Sequence, residues 1–469
     1  MTELERLAAG CLLPSFPGPT VPEWVRRCLD RGLGGITLFA YNVGGLAGLT
    51  AALRAEGPQL LVAIDEEGGD VTRLEAARGS SYPGNFALGR VDDVELTRSV
   101  AGAIAADLAR VGVNVNLAPV ADVNTNPRNP VIGVRSFGSE PELVARHVAA
   151  FVEGTQRQCV AACAKHFPGH GDTEEDSNRA LAVARGDLEA ALVPFRAAVA
   201  AGVRAVMTGH LVVPSLGDEP ATVSRRVVTE LLREELGFRG LVVSDALEMR
   251  ALSGGVGVEE GAVQALAAGV DALCLGHDLH EDAVESVLTA VVTAVESGRL
   301  ALERVAEAAA RVRATAEWAS AVEPPEGIGD IGAEAARRAL RVHGDPRVDA
   351  PPFIVELVPE ANVAAGEAEH GLADAWPGAV AVRVRGAGDV RALACEHPAR
   401  PLVLVVRDAA RHEWQHEAAR ELLDVRRPAV VIETGLPGWR PPADVPLVET
   451  AGAGRVNLTS AAAALRAAT

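Results

Sequence analysis

The chain has 469 residues, of which 48% are hydrophobic and 23% charged, and its formal net charge at pH 7 is −19. This apolar content supports packed cores and argues against a disordered chain. The length predicts two or three domains, one of which can be a barrel of about 250 residues or more. Nucleic acids and anionic membranes require basic patches, so the acidic balance argues against both as partners.

Cysteine usage and the N-terminus indicate a cytoplasmic protein. The six cysteines are scattered, and the two closest, Cys159 and Cys163, do not have the spacing of zinc ligands. We therefore expect buried, reduced thiols, which fit the cytoplasm. The residues from Met1 to Arg6 show no basic segment followed by an apolar run, so we expect no signal peptide, and no apolar run predicts a transmembrane helix.

Short β-rich runs alternate with alanine-rich helical segments in the first part of the chain. The helical segments include Asp187–Ala201 and Glu259–Ala268. Eight such βα units predict an α/β fold with a (β/α)8 TIM-type barrel, and a doubly wound open sheet stays open as the alternative. The eight β-runs are Ala9–Leu13, Gly35–Phe39, Leu60–Asp65, Val113–Ala118, Val160–His166, Ala205–Thr208, Leu241–Asp245 and Val270–Leu275.

A second α/β unit follows a helix predicted over Leu302–Ala319. Prolines and glycines in Val322–Gly329 predict an exposed linker, and a helix is predicted at about Gly332–Leu340. We predict a barrel domain over 1–322, a linker over 323–330 and a smaller αβα sandwich over 331–469, with a buried parallel sheet. The β-runs of the second domain are Phe353–Leu357, Ala379–Val384, Leu402–Val406 and Ala429–Glu433.

Chemically active side chains follow several predicted strands of the barrel. Catalytic residues of this fold lie at the C-terminal ends of strands, so their convergence predicts an active site at the barrel mouth. The residues in question are Asp65, Asp122, Lys165, His166, His210 and Asp245.

The loop after the fifth predicted strand is the most informative stretch. Pro168, Gly169 and Gly171 prevent the strand that carries Lys165 and His166 from continuing. The resulting loop is rich in titratable groups, and a merely solvated acidic loop is the alternative interpretation. Its titratable residues are His166, His170, Asp172, Glu174, Glu175 and Asp176.

Carboxylates combined with cationic hydrogen-bond donors suit the chemistry of a glycosidic bond. One carboxylate attacks or stabilises the anomeric carbon and another group protonates the leaving oxygen. The carboxylates are Asp65, Asp122, Asp176 and Asp245, and their candidate partners are Arg73, Arg135, Lys165 and His166.

Two other barrel chemistries are alternatives. A metal hydrolase would use His166, His170, Asp172 and Asp176, but Phe167-Pro168-Gly169 keeps the two histidines from sharing a helix face, so the spacing matches no known ligand pattern. A phosphate-binding barrel would need a glycine-rich loop near Gly269–Gly276 that leads to a helix N-terminus, and none is evident.

Four motifs carry a family resemblance. They are Asp65–Gly69 with Arg73, Asn129–Gly138, Lys165–Thr173 and Ser244–Met249. Together they resemble glycoside hydrolase family 3, and more narrowly its β-N-acetylglucosaminidase branch. The resemblance spans the barrel and extends more weakly into the second domain, through Gly332–Leu340 and Gly454–Asn457.

The resemblance implies a fold and a set of roles. The first domain would be a (β/α)8-type barrel and the second an αβα sandwich. Asp245 would be the nucleophile of a retaining double displacement, with a small carbohydrate of the N-acetylglucosamine type as ligand and no metal or organic cofactor. The candidate substrate-binding residues are Asp65, Arg73, Asp122, Arg135, Lys165, His166, Met207 and His210.

The chain departs from the family at the acid/base. The branch usually has an Asp-Ser-His triplet in which the aspartate orients the histidine, whereas here the triplet is Asp176-Ser177-Asn178. An asparagine amide has no accessible pKa and transfers no proton. General acid–base assistance is worth ~10²–10⁴-fold, so its loss predicts a slow enzyme rather than an inert one.

Three accounts of this departure stay open. The first is a glycosidase whose acid/base lies elsewhere. The second is a sugar-binding relative without activity, and the third is a transferase or phosphorolytic variant that does not protonate its leaving group. Candidates for a replacement acid/base are Glu174, Glu175, Asp176, His170, His412 and Glu413.

Overall fold

The computed structural model describes residues 2–276, 280–319, 330–361, 364–366, 369–386 and 390–466. The chain divides into two compact units. The first, called the barrel unit, is Met1–Glu67, Thr97–Ile132 and Ser139–Gly329, and the second, called the sandwich unit, is Gly68–Leu96, Gly133–Gly138 and Asp330–Thr469. The predicted linker lies almost entirely outside the described residues, so the predicted domain boundaries stay predictions.

The strands are short. Those of the barrel unit are β1 (Leu12–Leu13), β2 (Gly35–Leu38), β3 (Leu61–Ile64), β4 (Val115–Asn116), β5 (Ala161–Phe167), β6 (Ala182–Val183), β7 (Ala205–Thr208), β8 (Leu211–Val212), β9 (Leu241–Ser244) and β10 (Leu273–Cys274). Those of the sandwich unit are β11 (Arg341–His343), β12 (Phe353–Leu357), β13 (Val380–Val384), β14 (Leu402–Val406), β15 (Val430–Glu433) and β16 (Leu447–Glu449).

The helices fill the intervals between strands. They are α1 (Glu3–Ala9), α2 (Glu23–Asp30), α3 (Leu46–Glu56), α4 (Asn85–Val91), α5 (Val94–Arg110), α6 (Pro141–Gln156), α7 (Leu188–Ala200), α8 (Arg250–Ser253), α9 (Val258–Ala268), α10 (Glu281–Glu296), α11 (Leu302–Ala319), α12 (Ile331–Ala339), α13 (Val390–Ala394), α14 (Glu413–Val425) and α15 (Arg455–Arg466). A π-helix covers Arg226–Glu235. Among the described residues, no helix is both long enough and apolar enough to cross a membrane.

The main sheet of the barrel unit closes on itself. Six strands pair in parallel in the order β2-β3-β4-β5-β7-β9, and β10 pairs in parallel with β1. The N–H of Ala272 donates to Val242 O at 3.0 Å, which joins β10 to β9, and the N–H of Thr37 donates to Pro14 O at 2.9 Å, which joins β2 to β1. All eight predicted strands therefore form one closed barrel, which confirms the (β/α)8 prediction and excludes the open sheet.

The inward-facing side chains of the strands fill the interior of the barrel. Every second residue faces inward, and the inward side chains form one buried cluster to which Val312 and Ala316 of α11 also contribute. Gly35 is required here, because a Cβ at this position would lie only 2.8 Å from Leu61 Cβ. The strand residues of the cluster are Leu13, Leu61, Ala63, Val115, Leu117, Ala161, Cys163, Ala205, Met207, Leu241, Val243, Ala272 and Cys274.

The sandwich unit has a six-stranded sheet in the order β11-β16-β15-β14-β12-β13. Alternate residues face opposite sides: Val355 and Leu404 pack in one apolar cluster with α13 and α14, and Ile354 and Val403 pack in another with α15. The sheet is parallel except at its edge strand β11, which is antiparallel to β16. The αβα sandwich is confirmed, but the prediction missed two of its strands. These are β11, whose three residues are exposed and carry no apolar run, and β16, which is also only three residues long.

The sandwich unit also includes the long segment that follows β3. Asp70 accepts a hydrogen bond from Arg407 Nη2 at 2.5 Å and another from Ala453 N–H at 2.7 Å. Arg455 Nη2 donates to Glu75 Oε1 at 2.7 Å. The Gly454–Asn457 motif thus begins a helix that holds this segment, a role that the sequence did not indicate.

Candidate active site

A ring of inward-facing residues forms the mouth of the barrel. It lies one alternation step beyond the buried cluster, at the C-terminal ends of the eight strands. Three of its members are charged and contribute to the predicted site, and its two glycines lie against side chains, since a Cβ at Gly276 would meet Glu248 and one at Gly209 would meet Leu211. The ring, called the mouth ring below, consists of Ser15, Phe39, Asp65, Pro119, Lys165, Gly209, Asp245 and Gly276.

Lys165 is the buried cation of the mouth ring. Its side chain is only 2% exposed, and Nζ lies 2.6 Å from Asp65 Oδ1 and 2.8 Å from Glu67 Oε1. Two carboxylates compensate the desolvation of the ammonium group and hold it in one position. Lys165 and Asp65 therefore present fixed donors and acceptors to the mouth.

Asp122 organises the loop that follows β5. This fully buried carboxylate lies 2.8 Å from His166 Nδ1, and it accepts the backbone N–H of His170 at 2.7 Å. The imidazole Nδ1 therefore carries the proton that points at Asp122, which leaves Nε2 for other contacts. Asp122 thus acts by positioning His166 and has no exposed surface of its own to offer a ligand.

Asp245 directly follows β9 and is held by the backbone. Its N–H donates to Thr208 O at 3.1 Å, and its Oδ1 accepts the N–H of Ala246 at 2.8 Å. His210 supports the same turn, since Nε2 lies 3.0 Å from Ala246 O and Nδ1 lies 2.8 Å from Thr222 Oγ1. Both ring nitrogens of His210 are engaged by protein atoms, and burial lowers its pKa. His210 therefore supports the Asp245 turn, and its predicted sugar-binding role stays a prediction.

The triplet that departs from the family has a defined geometry. Asp176 Oδ1 accepts Asn178 Nδ2–H at 2.8 Å and the backbone N–H of Asn178 at 2.9 Å. Asp176 is thus aimed at position 178. His170 has different contacts, because its Nδ1 lies 2.7 Å from Thr173 Oγ1 and its Nε2 lies 3.0 Å from Ser177 Oγ.

Three charged residues of the mouth ring affect the buried thiol of Cys163. Burial raises the pKa of this thiol to about 12, the ammonium of Lys165 opposes that rise, and the carboxylates of Asp65 and Asp245 add to it. Cys163 lies inside the barrel directly below Lys165. All three charges therefore act on one point beneath the mouth.

The other predicted site residues do not belong to the mouth ring. Met207 faces inward on β7 and is 4% exposed, so it belongs to the floor beneath the mouth ring. Arg73 and Arg135 belong to the sandwich unit. There Arg73 Nη2 donates to Ala364 O at 2.8 Å, and the carbonyl of Arg135 accepts from Asn85 Nδ2 at 2.7 Å. Their sugar-binding roles stay predictions.

Two residues at the mouth were not predicted as site residues from the sequence. Glu67, the second partner of Lys165, was seen only as part of a motif, and Phe39 was seen only as the end of a β-run. Counting every second residue beyond each strand would have found Phe39. No local signal indicates the partner of Glu67, because Lys165 is 98 positions away in the sequence.

The donors proposed for a metal hydrolase do not converge. His170 is satisfied by Thr173 and Ser177, and Asp172 Oδ2 accepts the backbone N–H groups of Arg185 and Gly186 at 2.7 and 2.5 Å. Within the described ranges, no group of three or more His, Cys, Asp or Glu side chains is arranged to hold a metal ion. For the phosphate-binding alternative, the first turn of α10 carries Glu281 and Asp282, which repel an anion.

A closed (β/α)8 barrel with a charged mouth, followed in the chain by an αβα sandwich, defines a class of barrel enzymes, and comparison with known proteins narrows it. Residues 20–315 match the description "Glycosyl hydrolase family 3 N terminal domain". The chain is 34% identical over 328 residues to β-hexosaminidase A of Pseudoalteromonas piscicida, covering 62% of this chain and 55% of that protein. It is 38% identical over 280 residues to a β-hexosaminidase of Xylella fastidiosa, covering 56% of this chain and 82% of that protein.

Solved structures give the same result. A family 3 β-N-acetylglucosaminidase from a Paenibacillus strain superimposes with a TM-score of 0.88 at 30% identity, over 100% of this chain and 97% of that one. A β-N-acetylhexosaminidase from Beutenbergia cavernae gives a TM-score of 0.61 at 30% identity, over 68% and 99%. This chain belongs to glycosyl hydrolase family 3. It is a glycoside hydrolase of the β-N-acetylhexosaminidase type.

Proposed function

We propose that this protein is a retaining glycosidase that removes terminal β-linked N-acetylglucosamine, with Asp245 as its nucleophile. The observation that carries the proposal is the mouth ring, in which Asp245, Asp65 and Lys165 face the same space. The names of the similar proteins, β-hexosaminidase and β-N-acetylglucosaminidase, support the substrate class. We also propose a cytoplasmic location, which the six free cysteines support.

Asp245 would act on the anomeric carbon. The N–H of Ala246 orients one carboxylate oxygen, and attack on C1 forms a glycosyl ester while the bond to the leaving oxygen breaks. Water then cleaves the ester, and the sugar is released with its original anomeric configuration. Two inversions at C1 give net retention.

The neighbouring charges would bind the sugar. Asp65 accepts hydrogen bonds from ring hydroxyls and Lys165 donates to them, because Glu67 and Asp65 hold the ammonium in place. His166 would contact the substrate through Nε2, since Asp122 engages Nδ1. The sugar-binding roles of Arg73 and Arg135, which the family resemblance implies, stay predictions.

The acid/base position leaves a second candidate function open. Asn178 offers a hydrogen bond but no proton, which is the property expected of a sugar-binding relative. His170 does not replace it, because both ring nitrogens are engaged and burial lowers its pKa, which keeps the ring neutral. Of the candidates in the barrel unit, the exposed Glu174 and Glu175 and the aspartate Asp176 are left.

The nucleophile is tested by substitution and by trapping. Asp245→Asn should lower the cleavage rate of an aryl N-acetyl-β-glucosaminide by several orders of magnitude while the protein still binds N-acetylglucosamine. A 2-fluoro glycosyl probe with a good leaving group should label the wild type at Asp245, as peptide mass spectrometry would show. Asp218→Asn, at an exposed carboxylate of the same unit, is the matched control and should change neither result. Labelling at another carboxylate would refute the assignment.

A further inference from the structure

An aromatic side chain stands beside the charged residues of the mouth ring. β2 pairs with β3 so that Leu38 is level with Ile64, the last residue of each strand, and Phe39 and Asp65 are the residues that follow directly. Thr37, two residues earlier, faces the barrel interior, where its Oγ1 lies 3.7 Å from Cys274 Sγ. Phe39 therefore points into the mouth, and its side chain is only partly buried.

Tyr41 extends this aromatic surface outward. Its ring stacks on Phe39 with the centroids 5.6 Å apart and the planes inclined by 26°. The tyrosine is 39% exposed, and no other aromatic residue of the described chain reaches the exposed class. It lies in the 3-10 turn Ala40–Asn42, which follows Phe39.

The turn that carries Tyr41 is held by hydrogen bonds. Buried Asn42 accepts the N–H of Phe39 at 2.8 Å and donates to the carbonyls of Phe16 and Gly18 at 2.9 and 2.7 Å. The hydroxyl of Tyr41 is 3.4 Å from Ser15 Oγ, which in turn donates to the carbonyl of Gly276 at 2.7 Å. Little conformational entropy is therefore lost when a ligand contacts the tyrosine ring.

A pyranose ring has polar edges and an apolar face of C–H groups, and that face suits the negative face of an aromatic ring. If Asp65 and Lys165 bind the hydroxyls of the terminal sugar, the ring attached to it must leave the barrel past the rim of the mouth. We propose that Tyr41, braced by Phe39, is the stacking surface for this second ring, a β-linked N-acetylhexosamine in the leaving-group position. The inference rests on the proposed function and assigns a specificity determinant to it.

The test measures binding without turnover. In the Asp245→Asn background, calorimetry gives the dissociation constants of N-acetylglucosamine and of its β-1,4-linked disaccharide. Tyr41→Ala should lower the preference for the disaccharide over the monosaccharide by about tenfold, the factor expected when roughly 55 Å² of apolar surface is no longer removed from water. Tyr41→Phe keeps the ring and should keep the preference.

Leu302→Ala is the matched control, because Leu302 is an apolar residue of similar exposure, 45%, but begins α11. It should leave the preference unchanged. If Tyr41→Ala binds both sugars with an unchanged preference, the stacking role is overturned while the proposed function stands. If the Asp245→Asn protein with intact Tyr41 binds neither sugar, the proposed function fails and this inference fails with it.

Discussion

At the scale of single residues, position 178 decides what chemistry the mouth can perform. Asp176 accepts two hydrogen bonds from Asn178, one from the amide side chain and one from the backbone. An imidazole at this position could donate Nδ1–H to the same carboxylate and still exchange a proton through Nε2. The asparagine keeps the hydrogen bond to Asp176 but cannot exchange a proton with the substrate.

Substitution at this position should restore proton transfer. We expect wild type to cleave an aryl N-acetyl-β-glucosaminide, whose phenolate departs without much protonation, far faster than the natural disaccharide. Asn178→His should raise kcat/KM for the disaccharide by ~10²–10⁴-fold, measured by steady-state kinetics. Adding Asp176→Ala to this variant removes the orienting carboxylate and should cancel most of the gain.

Two outcomes would contradict this view of Asn178. If wild type cleaves both substrates equally fast and Asn178→His changes nothing, another group already serves as the acid/base. If neither protein cleaves either substrate but both bind N-acetylglucosamine, the sugar-binding relative is the correct account.

At the scale of elements, strand ends bring acidic groups together in the sandwich unit as well. Glu433 at the end of β15 is fully buried, and its carboxylate accepts the N–H groups of Asp408, Ala409 and Gly435. Burial raises the pKa of Glu433 to about 8, and the nearby carboxylate of Asp408 adds to the rise. The three N–H donors oppose the shift but do not cancel it.

This raised pKa predicts a pH dependence of stability. Between the ordinary value of 4.5 and about 8, the unfolded chain loses the Glu433 proton while the folded chain retains it. The free energy of unfolding should therefore fall as the pH rises through this window. Glu433→Gln should flatten that slope, measured by urea unfolding at several pH values.

The matched control for this measurement is Glu413→Gln, at an exposed glutamate that begins α14. It should retain the wild-type slope. The glutamine at 433 will lower stability at every pH, because its NH2 group meets a backbone donor, so the slope is the readout and not the absolute value. Identical slopes in the two variants would show that Glu433 titrates normally.

At the scale of the whole molecule, closure of the barrel depends on its short final strand, β10, and on the ion pairs of the residue before it. The final strand β10 has two residues, and Asp271 just before it is completely buried. Its carboxylate lies 2.6 Å from Arg233 Nη2 and 3.1 Å from Arg311 Nη1, and it also pairs with Arg304. One aspartate therefore ties the π-helix and α11 to the closing strand.

Removing this charge should destabilise the fold strongly. Asp271→Asn leaves three guanidinium groups without their shared anion, and losing one partner of a buried ion pair costs about 3–5 kcal/mol in the free energy of unfolding. Urea denaturation would measure the loss. Asp282→Asn, at an exposed aspartate of α10, should change the same quantity by no more than about 0.5 kcal/mol. A loss below about 1 kcal/mol for Asp271→Asn would show that the network is not needed.

The sequence by itself determined the order of the elements and the type of both folds. All eight barrel runs and four of the sandwich strands form where they were predicted, because apolar periodicity follows directly from burial on one or two faces. The ends of the strands were predicted less well than their positions. The predicted run Val270–Leu275, for example, contains a strand only over Leu273–Cys274, because hydrogen-bond pairing and not apolar content defines where a strand stops. The strand-end residues Asp65, Lys165 and Asp245 were found for the same reason that the strands were.

Only the tertiary structure decided which of those residues act on one another. Lys165 meets Glu67, and Asp122 holds His166, through contacts between strands that are far apart in the sequence. The same applies to His210, whose ring nitrogens are both taken up by Thr222 and Ala246. Local sequence patterns indicate which face of a strand a residue occupies. Which residues meet across a closed barrel depends instead on which strands are neighbours and in what register they pair.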